Sequence, residues 1–553
     1  MGAPKKSEPK CVRLTGLEIA VGQEESAAFG LACERLGLER EQVLHFKLVR
    51  KSLDLRGRRR GRAARWILHA DVTIAPGTES KKLRRLIQSG RVKDAPAPAS
   101  FQVEDLHEDF RAPGERRVVV VGSGPGGVFA ALTLALAGVR VQLLERGAAI
   151  EQRSTGLARF HRSRVVDTES NLLYGEGGAG TYSDGKLYTR VVDPLERNVL
   201  QELVRAGARE DILWDARAHI GTDRLHQVLP ALRVRLQELG VEFLWNTRFE
   251  GLLFDAGGST RVRAVQTSKG ELQADGLILA IGHSAEDTWR LLHEQGVGFE
   301  AKPFQLGVRV EHSQELINHL RHGTGPEADQ LGAASYNLVN KARGDVGGAH
   351  SFCMCPGGKI VASINEDGML CTNGMSNSTH GSPWANSAIV TTYTEQHFGP
   401  GPFAALEFRK RLEANFFEAG GGDFSAPAQR IPDFLGGRET PNPGRTSYTF
   451  GVVPGRIDLL LPEIGVASLR QALWRFDGML EGFGGEEGLL VGIESRSSGP
   501  VRMVRDRERR VAAGFANLYS VGEGAGFAGG IMSAALDGAH SAQSLLQNGV
   551  QGN

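Results

Sequence analysis

The chain has 553 residues, 41% of them apolar, with 65 Lys and Arg against 64 Asp and Glu; that length exceeds what one hydrophobic core supports, so several domains are expected. No run of about 18 apolar residues occurs, which argues against a helical membrane span. The start, Met1-Gly-Ala-Pro-Lys-Lys, lacks the apolar core of a secretory signal and has Lys6 where myristoylation would want Ser or Thr. Five cysteines, an odd number, argue against a disulfide framework and point to the cytoplasm.

In chain order, residues 1–10 read as a disordered tail. Residues 11–95 predict a strand (Val12 to Val21), a helix (Glu24 to Leu36), two strands (Gln42 to Leu55, Ala64 to Ile74) and a helix (Ser80 to Gln88). That order suggests a small N-terminal ferredoxin-like α/β sandwich. The region is basic: residues 1–100 hold 21 Lys and Arg against 11 Asp and Glu, and most of that excess sits in Arg56 to Arg65 and Lys81 to Arg85. One reading is an RNA or polyanion contact; with no aromatics interleaved, a solvated hairpin tip is favoured. The Ala-Pro repeat at 95–99 and the polar residues to Pro113 make 96–114 a linker.

The most informative stretch follows. Val118-Val-Val-Val-Gly-Ser-Gly-Pro-Gly-Gly, an apolar helix, a second strand to Leu144 and then Glu145 describe a dinucleotide-binding unit. Gly122 permits the turn, Gly124 lets a pyrophosphate approach the backbone, and Gly127 lets helix and strand pack. Pro125 and Gly126 open the helix, whose free N–H groups suit phosphate. Glu145 is placed for a ribose hydroxyl, with Arg146 beside it. Residues 241–273 alternate as a β-meander, with Phe249 near the cofactor. Ala274 to Gly282 is a buried strand ending in a small turn at Ala280 and Gly282.

Which dinucleotide binds is decided far downstream. Residues 517–540 form a short apolar strand, a glycine loop and a helix of small residues, with Gly522, Glu523, Gly529, Gly530, Ile531 and Met532 at the turn. This segment resembles the last flavin-binding segment of the two-dinucleotide-binding-domain flavoproteins. A helix N-terminus there suits the negative charge of reduced flavin. That family usually carries Asp where Glu523 stands. Three motifs in the proper order make FAD the choice.

Several further segments resemble one family. They are Glu169 to Leu187 (with Gly-Glu-Gly-Gly-Ala-Gly-Thr-Tyr-Ser-Asp-Gly-Lys), Ala301 to His312, Phe352-Cys-Met-Cys-Pro-Gly-Gly, Thr372-Asn-Gly-Met-Ser and Ala426-Pro-Ala-Gln-Arg. Their set and order are similar to the FAD-dependent dehydrogenases gathered by sequence as NAD(P)/FAD-dependent oxidoreductases. The resemblance spans nearly the whole chain and implies an α/β architecture. That architecture is a discontinuous Rossmann-like FAD-binding domain (115–300 and 496–553) with a mixed α+β cap at 301–495. It also implies that Gly177 to Lys186 lies under the isoalloxazine. Gly178 and Gly180 would let the backbone approach, while Thr181 and Ser183 add donors. Asp184 and Lys186 would orient each other or move a proton.

Candidates for proton transfer or substrate binding are Lys186, His283, Arg309, His312 and Arg430, the last as a carboxylate clamp. Cys353-Met-Cys355 tempts a zinc or disulfide reading. On a regular strand, however, the two side chains face opposite ways, and two buried small hydrophobes are expected; no metal site is assigned. No cysteine pair lies in 145–190, where a disulfide reductase would place one. No second strand–GxGxxG–helix unit appears, so NAD(P)H, if it is the electron donor, would bind transiently in the cap cleft; otherwise the electrons come from the substrate or a protein partner. The expected activity is two-electron transfer between flavin N5 and a small organic substrate. The alternatives are a monooxygenase using NAD(P)H and O2, an RNA-associated flavoprotein docking through the basic N-terminal domain, and a non-catalytic FAD scaffold. Oligomeric state and redox partner are not legible.

Overall fold

The computed structural model describes residues 9–56, 63–97, 99–112, 114–255, 260–343 and 346–550. Most of the Arg56 to Arg65 run, and nearly all of the expected N-terminal tail, lie outside the described residues. The chain divides into two compact units, one of residues 1–99 with 209–219 and 322–332, the other of the remainder.

The smaller unit runs β1 (Lys10–Ala20), α1 (Ala27–Leu36), β2 (Val43–Asp54), β3 (Arg65–Ile74), α2 (Lys81–Gln88) and β4 (Lys93–Asp94). The sheet order is β2-β3-β1-β4, with every pair antiparallel. That is the ferredoxin-like order. Period-two alternation buries Leu68, Ala70, Val72 and Ile74 on one face of β3. On β1 the buried set steps from Val12 and Leu14 to Leu17 and Ile19, across a register shift at Gly16, whose φ is +71°. α1 ends at Gly37 in the left-handed conformation, φ 65°.

Two segments from the middle of the chain complete this unit. Lys51 N–H donates to the Trp214 carbonyl at 2.5 Å and the Lys51 carbonyl accepts from Ala216 at 2.8 Å, so edge strand β2 gains a partner. Glu327 accepts a hydrogen bond from Ala64 N–H at 2.9 Å. Neither return was expected from the sequence.

The larger unit contains a five-stranded parallel sheet. Its strands are β5 (Arg117–Val121), β6 (Arg140–Leu144), β7 (Glu242–Leu244), then Gly276–Leu279 and Leu518–Ser520; the last two lie on the opposite side of β5 from β6 and β7. Strand order therefore reverses at β5, where open α/β sheets leave a crevice at their carboxyl ends. Val118 to Val121 are all buried, as a strand covered on both faces requires. Helix α3 (Pro125–Leu136) follows β5 and is met by the C-terminal helix Ile531–Asn548. A Cβ on Gly538 would stand 2.0 Å from the Gly126 carbonyl oxygen, so the two helices touch through backbone.

The expected meander is shorter than read. Its first strand, β7, joins the parallel sheet, leaving β8 (Phe249–Phe254), β9 (Val262–Thr267) and β10 (Gly270–Gln273) as a three-stranded antiparallel sheet. The expected linker also carries structure: Phe101 and Phe110 are buried, and Phe101 lies 6.0 Å from the ring of Phe129 on α3.

Residues 303–497 supply a seven-stranded sheet centred on Phe304–Ser313, flanked by Trp384–Tyr393 and Leu489–Glu494. Helices Ala404–Ala419 and Glu463–Met479 contribute to its large apolar core. Apart from residues 322–332, this region belongs to the same compact unit as the parallel sheet. No described helix is long and apolar enough to cross a membrane.

Candidate active site

Four expected segments end at the carboxyl edge of the parallel sheet: the turn after β5, Glu145 after β6, Ala280 to Gly282, and Gly522 after Leu518–Ser520. The glycines of the first turn have different tasks. A Cβ on Gly122, at φ +103°, would stand 2.3 Å from the Ala280 carbonyl oxygen, and one on Gly127 would stand 1.9 Å from the Gly122 oxygen. These two residues are glycine because the fold has no room. Gly124 is extended, and its Cβ direction meets no atom within 4 Å. The first-turn N–H groups of α3, from Gly126 and Gly127, have no intrahelical acceptor. An open approach beside free donors and a positive helix end fits the diphosphate of a dinucleotide.

Glu145 is placed differently from expectation. One carboxylate oxygen accepts from Ser123 N–H (3.0 Å) and Ser123 Oγ (2.7 Å), the other from Gly147 N–H (2.9 Å) and Gly175 N–H (3.0 Å). All its lone-pair directions serve buried donors that would otherwise be orphaned, leaving none for a ribose. Glu145 thus ties the phosphate turn to the 175–178 loop. Arg146 departs too. Its guanidinium pairs with Glu169 and Asp287 and lies 4.4 Å from the Tyr174 ring centre. Phe249 is buried in the apolar core under the sheet.

The glycine-rich loop is organised by a residue the sequence did not single out. Arg153, on α4 (Ile150–Ser163), is fully buried and donates to the carbonyls of Asn171, Leu172, Glu176 and Gly178 at 2.6–2.9 Å, and to Thr181 Oγ1 at 3.1 Å. Burial lowers its pKa to about 10, so it keeps its charge. Gly177 N–H reaches the Ser123 carbonyl at 3.1 Å, and a Cβ on Gly180 would touch Ile531 at 3.2 Å, so the loop bridges the phosphate turn and the C-terminal helix start. Thr181 and Ser183, expected as free donors, spend their hydroxyls on Glu176 and Gly180 carbonyls at 2.8 and 2.7 Å. At the end of the loop Lys186 and Asp184 are 3.4 Å apart.

Glu523 accepts from Gly499 N–H at 3.1 Å and lies against Gly529, whose Cβ would come within 3.0 Å of it. Burial, only partly offset by Lys302, raises its carboxyl to about 8, so it holds its proton at neutral pH. Gly530 caps the C-terminal helix that begins with Ile531 and Met532.

The expected proton carriers fare less well. His283 bonds Ser284 Oγ at 2.8 Å, and burial with the nearby Arg496 and Arg409 lowers it to about 3. An imidazole that refuses a proton above pH 4 is a poor acid or base at neutrality. Arg430 is no free clamp: it donates to the carbonyls of Glu486 (3.0 Å), Glu487 (3.1 Å) and Pro443 (2.5 Å). Arg309 is buried and pairs with Glu494 at 3.3 Å, whose carboxyl burial raises to about 7 despite the guanidinium. His312 is buried with Nε2 on the Phe483 carbonyl at 2.8 Å.

Burial holds His312 at about 4. The unfolded chain takes that proton below pH 6.5 while the fold refuses it until about pH 4, so stability falls as pH drops through this window. The loss is expected to reach roughly 3 kcal/mol at the acid end. Urea midpoints at pH 7 and pH 4.5 should differ less in His312→Gln than in the natural protein.

Beside His283 lies a buried ionic cluster. Arg496 donates twice to Glu413, at 3.1 and 2.8 Å, and Arg409 lies 3.6 Å from the same carboxylate. Arg496 also donates to Ser284 Oγ at 3.2 Å and to Asn365, while Arg409 NH1 reaches the His283 carbonyl at 3.5 Å. Tyr174 donates to the Ser284 carbonyl and accepts from Asn365 at 3.1 Å. The cluster pins the 280–284 turn to the 303–497 region.

Residues 115–285 match the FAD binding domain family, and residues 303–497 match the family described as FAD-dependent protein, C-terminal domain-like. An uncharacterized protein of Clostridium beijerinckii is 34% identical over 542 residues, covering 97% of this chain and 98% of the relative. Among solved structures, L-proline dehydrogenase from P. horikoshii is 12% identical at TM-score 0.33, covering 78% of this chain and 93% of that one. Glycine oxidase from Bacillus cereus is 11% identical at TM-score 0.32, covering 79% and 99%. The reversing parallel sheet and its glycine turn agree with the first of these families, and FAD is the cofactor. The chain belongs to the family of FAD-dependent oxidoreductases that joins an FAD binding domain to this C-terminal domain.

Proposed function

We propose that the protein is an FAD-dependent dehydrogenase or reductase acting on a small organic substrate. The observation that carries this reading is the turn at 122–127, back-filled at Gly122 and Gly127 and open only over Gly124. In this reading Gly124, with the N–H groups of Gly126 and Gly127, holds the diphosphate, and the helix start at Gly530 to Met532 faces the flavin ring. Bound FAD supplies two-electron chemistry at its isoalloxazine. Glu523, at the flavin-facing turn in this reading, is a carboxyl that keeps a movable proton at neutral pH, with Gly499 N–H fixing one oxygen. Among the described residues there is one parallel sheet of this kind, which favours electrons arriving from the substrate or from transiently bound NAD(P)H.

The purified protein is expected to show flavin bands near ~370 and ~450 nm. An anaerobic screen of small metabolites, with NADH and NADPH as controls, should find a compound that bleaches them. In Glu523→Gln the alkaline limb near pH 8 should vanish from the bleaching rate. NAD(P)H oxidation that consumes O2 only when a substrate is present would replace the dehydrogenase reading with a monooxygenase.

A further inference from the structure

The Cys353-Met354-Cys355 segment is not the pair of opposed side chains that a regular strand would give. Cys353 has φ +44°, in the left-handed region, and the pairing of Ala349–Cys355 with Trp384–Tyr393 shifts register between Phe352 and Cys355. The bulge breaks the alternation, and the Cys355 thiol donates to the Cys353 carbonyl at 3.3 Å, so the second sulfur folds back against the first residue. Basic groups converge on them. Lys186 Nζ stands 3.8 Å from Cys353 Sγ and donates to the Met354 carbonyl; Arg309 lies 3.8 Å from Cys355 Sγ and donates to the Cys353 carbonyl at 3.1 Å. Space for the guanidinium comes from Gly374, where a Cβ would stand 1.9 Å from it. Cys353 is half-buried as a residue and Cys355 is buried.

We propose that Cys353 and Cys355 are a redox-active thiol pair that exchanges two electrons with small disulfides. Two cations beside a bulged pair of thiols favour a thiolate at the outer position, as a thiol that attacks disulfides needs. The hydrogen bond from Cys355, then Lys186 and Arg309, lower the Cys353 thiol against burial and Asp184, while Cys355 is raised. Glu494 also faces Cys353 and pairs with Arg309 at 3.3 Å, and burial raises its carboxyl to about 7.

The Cys353 thiolate attacks one sulfur of RSSR, forming Cys353–S–SR and releasing RS⁻. Cys355 then gives its proton to RS⁻ and attacks Cys353 Sγ, closing the protein disulfide and expelling the second RS⁻, which solvent protonates. Two protein thiols are oxidised and one RSSR is reduced to two RSH. Nothing in this cycle requires the flavin.

The test poises the natural protein in oxidised and reduced glutathione mixtures, quenches in acid, alkylates, and maps the cysteine peptides by mass. A disulfide between 353 and 355 is expected on the oxidising side, reversed by excess reduced glutathione, with Cys11 as the internal reference. Cys355→Ser should stop at a glutathione adduct on residue 353. Iodoacetamide at pH 7 should label Cys353 at least ~10-fold faster than Cys11. Lys186→Met should remove most of that advantage and move the pH profile of labelling upward, and Lys186→Arg should restore it. Cys353 labelling no faster than Cys11, with both thiols reduced across the whole series, would overturn the proposal.

Discussion

Gly124→Val is expected to yield a folded protein that has lost its flavin. No protein atom lies within 4 Å of the Gly124 Cβ direction and its backbone is extended, so the apo fold should change by less than ~1 kcal/mol. A branched side chain there would occupy the phosphate approach and cost roughly two charge-assisted hydrogen bonds. That is about 3 kcal/mol, or ~100-fold in FAD affinity. Gly127→Ala should do the reverse. Its methyl group would overlap the Gly122 carbonyl, a backbone atom with nowhere to go, and the protein should lose ~3 kcal/mol or more. Absorbance at the flavin band relative to protein, read with thermal melts, separates the two. A fully yellow Gly124→Val protein would remove Gly124 from the diphosphate site.

The second large effect belongs to Glu413. Its carboxylate is buried, and although burial opposes ionisation, Arg496 and Arg409 hold its pKa below the ordinary range. Removing it leaves two buried guanidinium groups without their counter-charge. Glu413→Ala should therefore cost about 3–5 kcal/mol, read as a fall in the urea midpoint. Replacing Glu413 and Arg496 together by apolar residues of similar size should recover much of that loss, because the remaining desolvation penalty is smaller. If Glu413→Ala were neutral, the cluster would not be what fastens the 280–284 turn.

Local chemistry was legible in the sequence. The strand, glycine turn and helix at 118–136 were legible from one short span, and Gly122 and Gly127 lack room for a side chain as their spacing implies. The βαββα run of the small unit was legible too, and the structure adds a fourth, two-residue strand at Lys93–Asp94. What escaped was set by distant partners. Glu145 was read as a ribose ligand because its position after β6 is informative, yet its lone pairs go to Gly175, 30 residues on, as well as to its neighbours. Arg153 looks like any arginine on an amphipathic helix until the 171–181 carbonyls fold over it. Opposite faces were assigned to Cys353 and Cys355 because the bulge between Phe352 and Cys355, with its positive φ at Cys353, carries no glycine to mark it.

The borrowed strips at 209–219 and 322–332 have a temporal meaning. A nascent chain emerging from the ribosome would present the first four strands early, but the outer rim at Lys51 stays bare until Trp214 to Ala216 are made. The Ala64 amide finds its acceptor only once Glu327 has been translated. Maturation of the amino-terminal module thus trails synthesis of the middle of the polypeptide, and a gene fragment stopping at codon 99 would encode an unfinished object.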